Sequence, residues 1–553
     1  FTRTFNVAAA TRPLRLVVAG LPVSPAASSA AITSGPGETV ATLADGEARL
    51  DVAVGGLDGS TTRHADGRLI VELPPSDAPR RFTVLLWNGP EDRRARFDEI
   101  LRREQPADLA PLLQPDGGRF LARLKTRGER GADTGPFAVD TLTMPHDNPF
   151  HALLFAAGVD FTPDGAAYVC TIHGDVWQVT GIDDGLRELT WRRFATGLFQ
   201  PLGLKVRDGQ VFVLGRDRLT RLHDLNADGE ADFYENFFGG IATSTGGHDY
   251  VACLEKDDAG GFYYIDPAGL HRVAADGSRQ DTLATGFRNP NGMGVRPDGR
   301  VLTAAPQQGE WTPSSGLWEV RPDNAGLYGG YGGPRVTDAR PAGFDAPLLW
   351  LPHAADNSSG SQVWVPPGLW GPLGGQMLQL LWGRCGMIVV LRDVAAPGGA
   401  TSARVVNGLA VPLPVRFLSG PNRGSFNARD GHLYVAGSTG WQTSAVKDGA
   451  LQRVRFTGGP AVLPVAWRVL RDGLELTFSG PLEAATAGDP DSFSLKQWNY
   501  RYAAQYGSKD WSAADPAKEG RDDVPVAAAT LSADGRTLTL RVPGLRPVMQ
   551  FAL

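Results

Sequence analysis

Residues 224–235 (DLNADGEADFYE) have the residue types and the spacing of a calcium-binding loop. Oxygen donors occupy positions 1, 3, 5, 9 and 12 of this stretch, and Gly229 at position 6 allows a sharp turn. Ca²⁺ takes about six to eight oxygen ligands. Since the flanking residues are strand-like, the loop is expected to join strands and the ion to be structural, with a plain acidic turn as the alternative. The predicted ligands are Asp224, Asn226, Asp228, Glu230, Asp232 and Glu235.

Two polar loops punctuated by glycine carry the residues best suited to catalysis. They are residues 246–249 (GGHD), which contain His248, and residues 286–292 (GFRNPNG), which contain Arg288 and Asn289. Each loop directly precedes a predicted strand. Loops of this kind, when they converge at one end of a sheet assembly, form ligand pockets. The alternative for each is a turn without a catalytic role.

A third polar stretch, residues 353–362 (HAADNSSGSQ), supplies further candidates for substrate binding. His353, Asp356 and Asn357 could bind a ligand or a second metal, or could satisfy a buried polar network. Trp311 could stack on a sugar ring, although tryptophan also fills β-sheet cores.

A repeat in the centre of the chain indicates what positions these loops. An apolar strand, an Asp- and Gly-containing turn and a second apolar strand recur at intervals of about 40 to 50 residues, with one longer gap. This period is typical of four-stranded propeller blades. We therefore predict an all-β fold in which residues 145–457 form a six-bladed β-propeller, with seven blades as the alternative. The turns lie at Asp164-Gly165, Asp208-Gly209, Asp257 to Gly261, Asp298-Gly299 and Asp430-Gly431.

The sequence on either side of the centre predicts two separate β-rich domains. A chain of 553 residues is too long for one hydrophobic core. Short alternating strands predict an N-terminal β-rich domain at 1–126, with one short helix near 91–105. The strand patterns at 460–553 predict an immunoglobulin-like sandwich.

Composition excludes several classes of function. The net charge is −6 and no dense Lys/Arg stripe occurs, so nucleic acid is not expected as a partner. No apolar stretch is long enough to span a membrane. Cys170, Cys253 and Cys385 are isolated, so this chain contains no CxxCH haem attachment site and no zinc knuckle.

Two of these motifs resemble those of a known family. His248, followed by Leu254 and then by Gly261, Tyr263 and Tyr264, resembles the segment that carries the catalytic histidine of soluble quinoprotein glucose dehydrogenases. GFRNPNG at 286–292 resembles their G-x-R-N-P-x-G segment, and the wider glucose/sorbosone dehydrogenase-like propellers share both. The resemblance implies that His248 is a general base and that Arg288 and Asn289 contact pyrroloquinoline quinone (PQQ).

A second resemblance covers more of the chain. The runs GLFQPLGL at 197–204, LHDLN at 222–226 and QYGSK at 505–509 are similar to those of large secreted proteins described as membrane-bound dehydrogenases, which often carry a c-type cytochrome domain. It implies an extracytoplasmic location, periplasmic or secreted, and a c-type cytochrome partner.

The chain departs from the quinoprotein enzymes in two ways. The further cations that grip PQQ have no motif here, with Arg384, Arg416 and Arg423 as candidates, and the calcium loop lies elsewhere.

The resulting hypothesis is an extracytoplasmic quinoprotein-type oxidoreductase that acts on a sugar or alcohol. The first alternative is a non-catalytic propeller that binds carbohydrate or protein, and the second is a carbohydrate-cleaving enzyme. Fold alone does not separate them. The dehydrogenase hypothesis requires His248, Arg288 and Asn289 to face one pocket.

Overall fold

The structure is a computed structural model that describes residues 1–20, 29–35, 37–45, 48–89, 91–114, 118–242, 248–321, 324–332, 343–393, 407–459 and 461–553. It forms two compact units, Phe1–Arg119 and Phe120–Leu553. No helix among the described residues is long and apolar enough to cross a membrane.

The first unit is a two-sheet β structure. One sheet has the strand order β1-β8-β5-β4-β3 and the other β2-β7-β6, and apolar residues of both sheets share one core. The helix α1 buries Phe97 against Ala53 and Leu85. The elements are β1 (Thr2–Val7), β2 (Leu14–Gly20), β3 (Ser29–Gly35), β4 (Glu38–Asp45), β5 (Ala48–Gly55), β6 (Thr61–Ala65), β7 (Arg68–Leu73), β8 (Arg80–Trp87) and α1 (Arg94–Arg103), with 3-10 helices at Glu91–Arg93 and Ala110–Leu113.

The second unit begins with a long series of short strands. Most of them carry apolar, buried residues, as strands covered on both faces do. They are β9 (Arg123–Thr126), β10 (Phe137–Leu142), β11 (Ala156–Phe161), β12 (Ala167–Thr171), β13 (Val176–Thr180), β14 (Leu189–Ala195), β15 (Gly203–Arg207), β16 (Gln210–Leu214), β17 (Leu219–His223), β18 (Phe233–Phe238), β19 (Ala252–Lys256), β20 (Phe262–Asp266), β21 (Gly269–Val273), β22 (Gln280–Thr285), β23 (Gly292–Val295), β24 (Leu302–Ala305), β25 (Ser315–Val320), β26 (Leu327–Tyr328), β27 (Leu349–Leu351), β28 (Ser359–Trp364), β29 (Met377–Leu381), β30 (Gly386–Arg392), β31 (Gly408–Pro412), β32 (Gly420–Phe426), β33 (Leu433–Ser438) and β34 (Gly449–Phe456), with a 3-10 helix at Gly371–Leu373.

These strands form a β-propeller, as the sequence predicts. Within the described ranges they make six sheets with the orders β11-β12-β13-β14, β15-β16-β17-β18, β19-β20-β21-β22, β23-β24-β25-β27, β28-β29-β30-β31 and β10-β34-β33-β32. Two of the sheets gain a further strand, β9 beside β14 and β26 beside β22. The innermost strand is the first of the order in five of these sheets and β32 in the sixth, and β11, β15, β19, β23, β28 and β32 contact one another in a closed cycle. A ring of sheets around a central channel is the propeller architecture.

The ring is closed by strands from its two ends. β10 pairs antiparallel with β34, from Phe137 opposite Phe456 to Leu142 opposite Leu451. β9 pairs with β14. The propeller therefore starts before residue 145, and residues 123–126 add to one of its sheets. Neither strand belongs to the Asp-Gly repeat, which is why the repeat does not mark them.

The remaining residues form two small sheets with the orders β35-β36-β40-β39 and β38-β37-β41. Trp467, Leu476 and Leu495 from this region share a core with propeller residues such as Leu378 and Val389. The elements are β35 (Pro464–Leu470), β36 (Gly473–Phe478), α2 (Ala484–Ala487), a 3-10 helix (Pro490–Ser492), β37 (Leu495–Trp498), β38 (Asp522–Val524), β39 (Ala528–Leu531), β40 (Thr537–Arg541) and β41 (Gln550–Ala552).

A buried carboxylate joins the two ends of the ring. Asp140 on β10 is fully buried and accepts hydrogen bonds from Arg453 Nε at 2.7 Å and Arg455 Nε at 2.8 Å, both on β34. Burial alone would raise the pKa of Asp140, but the hydrogen bonds from Arg455, Arg453 and Gly131 hold it below its usual value. The closing sheet therefore contains a charged contact that solvent does not screen.

We expect Asp140→Asn to lower the free energy of unfolding by about 3–5 kcal/mol, because it leaves the buried guanidinium of Arg453 without a counter-charge and Arg455 with Asp133 alone. The measurement is urea unfolding near neutral pH. Asp523→Asn is the matched control, since its ion pair with Lys496 is exposed and such pairs contribute about 0–1 kcal/mol.

The same contact gives a pH dependence. Because the pKa of Asp140 is lowered on folding, its contribution is present above the usual carboxyl value of 3.8 and is lost as the pH falls below it. The difference in free energy of unfolding between the wild type and Asp140→Asn should therefore shrink in acid. Equal stability of the two proteins at neutral pH would contradict a stabilising role for the Asp140 carboxylate.

Candidate functional site

A cavity of about 580 Å³ opens at the end of the ring where the innermost strands begin. Part of its lining comes from residues just before these strands, including Leu202 before β15, Tyr250 before β19 and Asn291 before β23. Another part comes from the loops between the second and third strands of the sheets, including Trp382 and Trp441. Its volume lies within the usual range of small-molecule sites, about 300–1,000 Å³.

The three residues predicted to act together do lie together. His248, Arg288 and Asn289 all line this cavity, and all three also line a smaller adjoining one of about 310 Å³. His248 is exposed, and no hydrogen bond joins it to another described residue. Gly246 and Gly247, which precede it in the predicted loop, lie outside the described residues. The geometry that the dehydrogenase hypothesis requires is therefore present.

Arg288 is fixed by several contacts. Its Nη1 donates to the carbonyl of Gln308 at 2.7 Å, and its Nε lies 3.7 Å from Glu310 Oε2. The guanidinium also lies over the ring of Tyr506, 4.9 Å from the centroid. Tyr506 is brought there because the amide of Gly507 donates to the carbonyl of Gly309 at 2.9 Å. Arg288 is thus oriented, and Glu310 offsets part of its charge.

Asn289 combines a rare backbone conformation with an unsatisfied side chain. Its φ is +42°, a left-handed conformation that asparagine tolerates better than most residues. Its Nδ2 donates to Gln307 Oε1 at 3.1 Å, whereas its Oδ1 is buried without a hydrogen-bond partner. A buried unpaired acceptor costs about 1–3 kcal/mol. Asn289, only 8% exposed, therefore presents an acceptor that a ligand hydroxyl could satisfy.

Most of the remaining lining is uncharged and polar or aromatic. Asn291, Asn422 and Ser438 contribute amides and a hydroxyl, and the buried Nε1 of Trp382 has no hydrogen-bond partner. The sequence does not predict Asn291, Asn422 and Ser438 as ligand contacts. Asn422 and Ser438 belong to no motif that points to chemistry. Asn291 lies in the predicted 286–292 loop, so its position there was an available signal.

A buried arginine underlies the cavity. Arg423, 3% exposed, donates to the carbonyls of Leu202 and Asn422 at 3.0 and 2.8 Å and to Asn291 Oδ1 at 3.2 Å. All three acceptors belong to residues that line the cavity. Arg384 and Arg416, the other candidate cations, donate to main-chain carbonyls and do not line it. Arg423 therefore organises the cavity floor without being exposed to a ligand.

The structure places two of the predicted substrate-binding residues outside this cavity. His353 is exposed, and its Nδ1 lies 2.9 Å from Gln308 Oε1. Trp311 has a left-handed backbone, and its amide donates to the carbonyl of Ala503. Each residue contacts another loop, His353 through its ring and Trp311 through its main-chain amide, and sequence spacing does not reveal these contacts.

Asp356 and Asn357 also lie outside the lining, although the next residue, Ser358, belongs to it. Asn357 Nδ2 donates to the carbonyl of Gln442 at 3.2 Å. Asp356 is fully buried, and burial raises its pKa well above the usual value, with the amide of Ser358 opposing the shift. Both residues support the loops of the cavity rather than touch its space.

The first half of the predicted calcium loop has a compact turn geometry. The amide of Gly229 donates to Asp224 Oδ2 at 2.8 Å, and the amide of Asp228 donates to Asn226 Oδ1 at 3.0 Å. Asp224 Oδ1 is buried and has no hydrogen-bond partner. A buried carboxylate oxygen left over in this way is suited to bind a cation, so Asp224, Asn226 and Asp228 fit Ca²⁺.

The second half does not complete the predicted set. Glu235 lies in β18, where its Oε2 is 2.7 Å from His223 Nε2, because β18 pairs with β17 across this position. Asp232 Oδ2 accepts from the amide of Leu225, and Glu230 Oε2 accepts from the amide of Phe120. No group of three or more His, Cys, Asp or Glu side chains suited to a metal occurs in the described part of the chain. The six predicted ligands therefore do not converge.

The cavity does not supply the charges that PQQ, a tricarboxylate, would need. Within the described lining, Arg288 is the one guanidinium, and Glu310 already lies 3.7 Å from it. The unpaired Oδ1 of Asn289 would repel a carboxylate, since both are acceptors. These residues do not fit the cofactor.

Comparisons with known proteins found distant likenesses among solved structures. No family model and no curated protein matches the chain. An oxidoreductase (glucose dehydrogenase) structure from Thermus thermophilus is 15% identical, with a TM-score of 0.42, and covers 58% of this chain and 100% of its own. The PQQ domain of pyranose dehydrogenase from Coprinopsis cinerea is 12% identical, with a TM-score of 0.39, and covers 61% and 98%. Regucalcin, a calcium-binding protein from Agrobacterium tumefaciens, is 14% identical, with a TM-score of 0.38, and covers 58% and 95%. Likenesses this distant carry no argument about activity.

The buried Asp356 predicts a pH effect on stability. Its folded-state pKa is raised, so the unfolded chain ionises first, and stability falls as the pH rises above the usual carboxyl value of 3.8. Asp356→Asn removes this dependence. The variant should gain stability relative to the wild type over the pH range above about 4, by up to about 1.4 kcal/mol per pH unit until Asp356 ionises in the folded protein. Thermal unfolding across this range measures the effect, and a constant difference between the proteins would contradict it.

Proposed function

We propose that the cavity binds a sugar or a related polyhydroxylated compound and that His248 acts there as a general base on a hydroxyl. The observation that carries the proposal is the buried, unpaired Oδ1 of Asn289 in the lining. An empty acceptor of this kind needs a donor, and a sugar hydroxyl supplies one.

The other unpaired group in the lining supports the same ligand class. The Nε1 of Trp382 is a buried donor without a partner, so the cavity presents both an acceptor and a donor. A hydroxyl group can donate and accept, whereas a carboxylate only accepts and an ammonium only donates. The amides of Asn291 and Asn422 extend this uncharged polar surface. A neutral polyol therefore satisfies more of the lining than an ion does.

His248 is suited to remove a proton from such a hydroxyl. Histidine is the side chain that most often serves as a general base, and this one is exposed at the cavity without a hydrogen bond to another described residue. Arg288, held by Gln308 and Tyr506, can orient a ligand oxygen beside it. The roles assigned to His248 and Arg288 do not depend on a bound cofactor.

The finer hypothesis of a quinoprotein dehydrogenase needs a group that accepts hydride. The lining does not fit PQQ, so a dehydrogenase at this site would need a different hydride acceptor, and the proton-accepting step assigned to His248 also suits cleavage of a sugar. The extracytoplasmic location and the c-type cytochrome partner stay predictions from the family resemblance. A sugar panel assayed for dye reduction, with and without PQQ and calcium, and for released products separates these reactions from binding alone.

We expect His248→Gln to lower turnover about 10²–10⁴-fold while leaving sugar affinity nearly unchanged. Asn289→Gly, which keeps the left-handed backbone but deletes the amide, should weaken sugar binding about tenfold, since it removes one hydrogen bond to a buried group. The measurements are isothermal titration and initial rates on the same sugar. His151→Asn is the control, because His151 is exposed, has φ +50° and is not in the lining. Full turnover in His248→Gln would overturn its role as the base.

We further propose that Ca²⁺ binds at Asp224, Asn226 and Asp228 and stabilises the connection between β17 and β18. The unpaired Asp224 Oδ1 supports this site, and Arg192, whose Nη2 lies 3.6 Å from Asp228 Oδ1, weakens it by offsetting part of the charge. The ion would neutralise buried carboxylates and has no part in the chemistry of the cavity.

The calcium proposal predicts a rise of a few degrees in the thermal midpoint when EDTA is replaced by excess calcium. Asp224→Asn should abolish the rise, because the amide carries no charge to attract the ion. The turn itself should persist, since the amide oxygen can still accept from Gly229. Glu235→Gln should keep it, since Glu235 faces His223. If the wild type shows the same midpoint in both buffers, the loop is a plain acidic turn.

A further inference from the structure

A large aromatic side chain is exposed at the edge of the cavity. Trp441 lines the cavity and yet leaves 73% of its surface exposed, the highest fraction among the exposed large hydrophobic residues of the described chain. Burial of apolar surface stabilises a protein by about 25 cal/mol per Å². An exposed tryptophan does not contribute this stabilisation to folding, and at a cavity edge such a residue is typical of ligand contact.

Trp441 is held by a fixed turn rather than by a loose loop. The amide of Thr443 donates to the carbonyl of Gly440, and the amide of Ser444 donates to the carbonyl of Gly383 at 2.9 Å. Gln442 has a left-handed backbone, and its carbonyl accepts from the buried Asn357. The polar network below the cavity thus determines where Trp441 is displayed.

The same turn places this indole beside the inner one. A Cβ on Gly440 would lie 2.4 Å from Cη2 of Trp382, so the main chain runs directly against that ring, and Trp441 follows at the next position. Trp382 carries the unpaired Nε1, whereas Trp441 is exposed. The lining therefore has an unpaired polar group at Trp382 in its inner part and a solvent-exposed aromatic surface at Trp441 on its rim.

We propose that Trp441 forms an outer subsite that stacks on a second sugar ring, so that the ligand is an oligosaccharide or glycoside of at least two rings. This inference rests on the proposed function, since the inner polar groups would hold the first ring. The apolar face of a pyranose packs on an indole, and its hydroxyls stay in water at the rim, which suits a side chain that is exposed on one face.

The test compares sugars of different length on wild-type protein and variants. Glucose, galactose and mannose, with α- and β-linked dimers and trimers of each, are titrated by calorimetry. For the sugar that binds, the dimer should bind about tenfold more tightly than the monomer. Trp441→Ala should remove this difference and leave the affinity for the monomer unchanged. Trp441→Phe should restore most of it, because a smaller ring still stacks.

Two further variants separate the inference from the proposed function. Trp382→Phe should weaken the monomer and the dimer by the same factor, as it deletes the inner donor. Val446→Ala, an exposed apolar residue outside the lining, should change neither. If monomer and dimer bind equally, or if Trp441→Ala weakens both equally, the outer subsite is refuted while sugar binding stands. If no sugar in the panel binds, both proposals fail.

Discussion

Closure of the ring by β10 and β34 is the contact on which the rest of the second unit depends. These strands are separated by more than 300 residues, as the hydrogen bond from Arg453 to Asp140 shows. Bringing such distant segments together has a large entropic cost, and an ion pair in a fully buried position opposes reopening because each partner alone would be an uncompensated charge. The closing sheet also contributes β32, through which the cycle of six innermost strands is completed.

Closure explains why single polar residues from distant loops can form one cavity. Each innermost strand begins at the same end, so the residues before it, and those after the second strand, meet there. Such a site needs no local motif longer than a few residues. Asn289 illustrates the consequence, since its left-handed backbone and unpaired oxygen are supported by the ring and not by its neighbours in sequence. Strain of this kind is more common at functional sites than elsewhere.

The fold class was accessible from sequence because it follows from a repeat at intervals of about 40 to 50 residues, and the convergence of His248, Arg288 and Asn289 because their loops directly precede predicted strands. Other features were not accessible, for physical reasons. The twelve-residue spacing indicates the turn at Asp224 but not where β18 begins, and that start places Glu235 against His223. Trp441 carries no sequence signal of its own, because its exposure depends on a turn held by Asn357, a residue that is distant in the chain.

Arg423 shows how the channel and the cavity are coupled. A guanidinium that is 3% exposed and donates mainly to main-chain carbonyls is costly to bury. This cost must be offset by the segments that its hydrogen bonds hold together. Arg423 belongs to β32, and its donors reach Leu202 just before β15 and Asn291 just before β23, so it links three strands of the cycle. A change in the relative position of any of these strands would break one of these hydrogen bonds without solvent to replace it. The cavity floor is therefore determined by several strands of the ring together, and apart from Arg288 the lining carries few charges because Arg423, which organises the floor, lies beneath it.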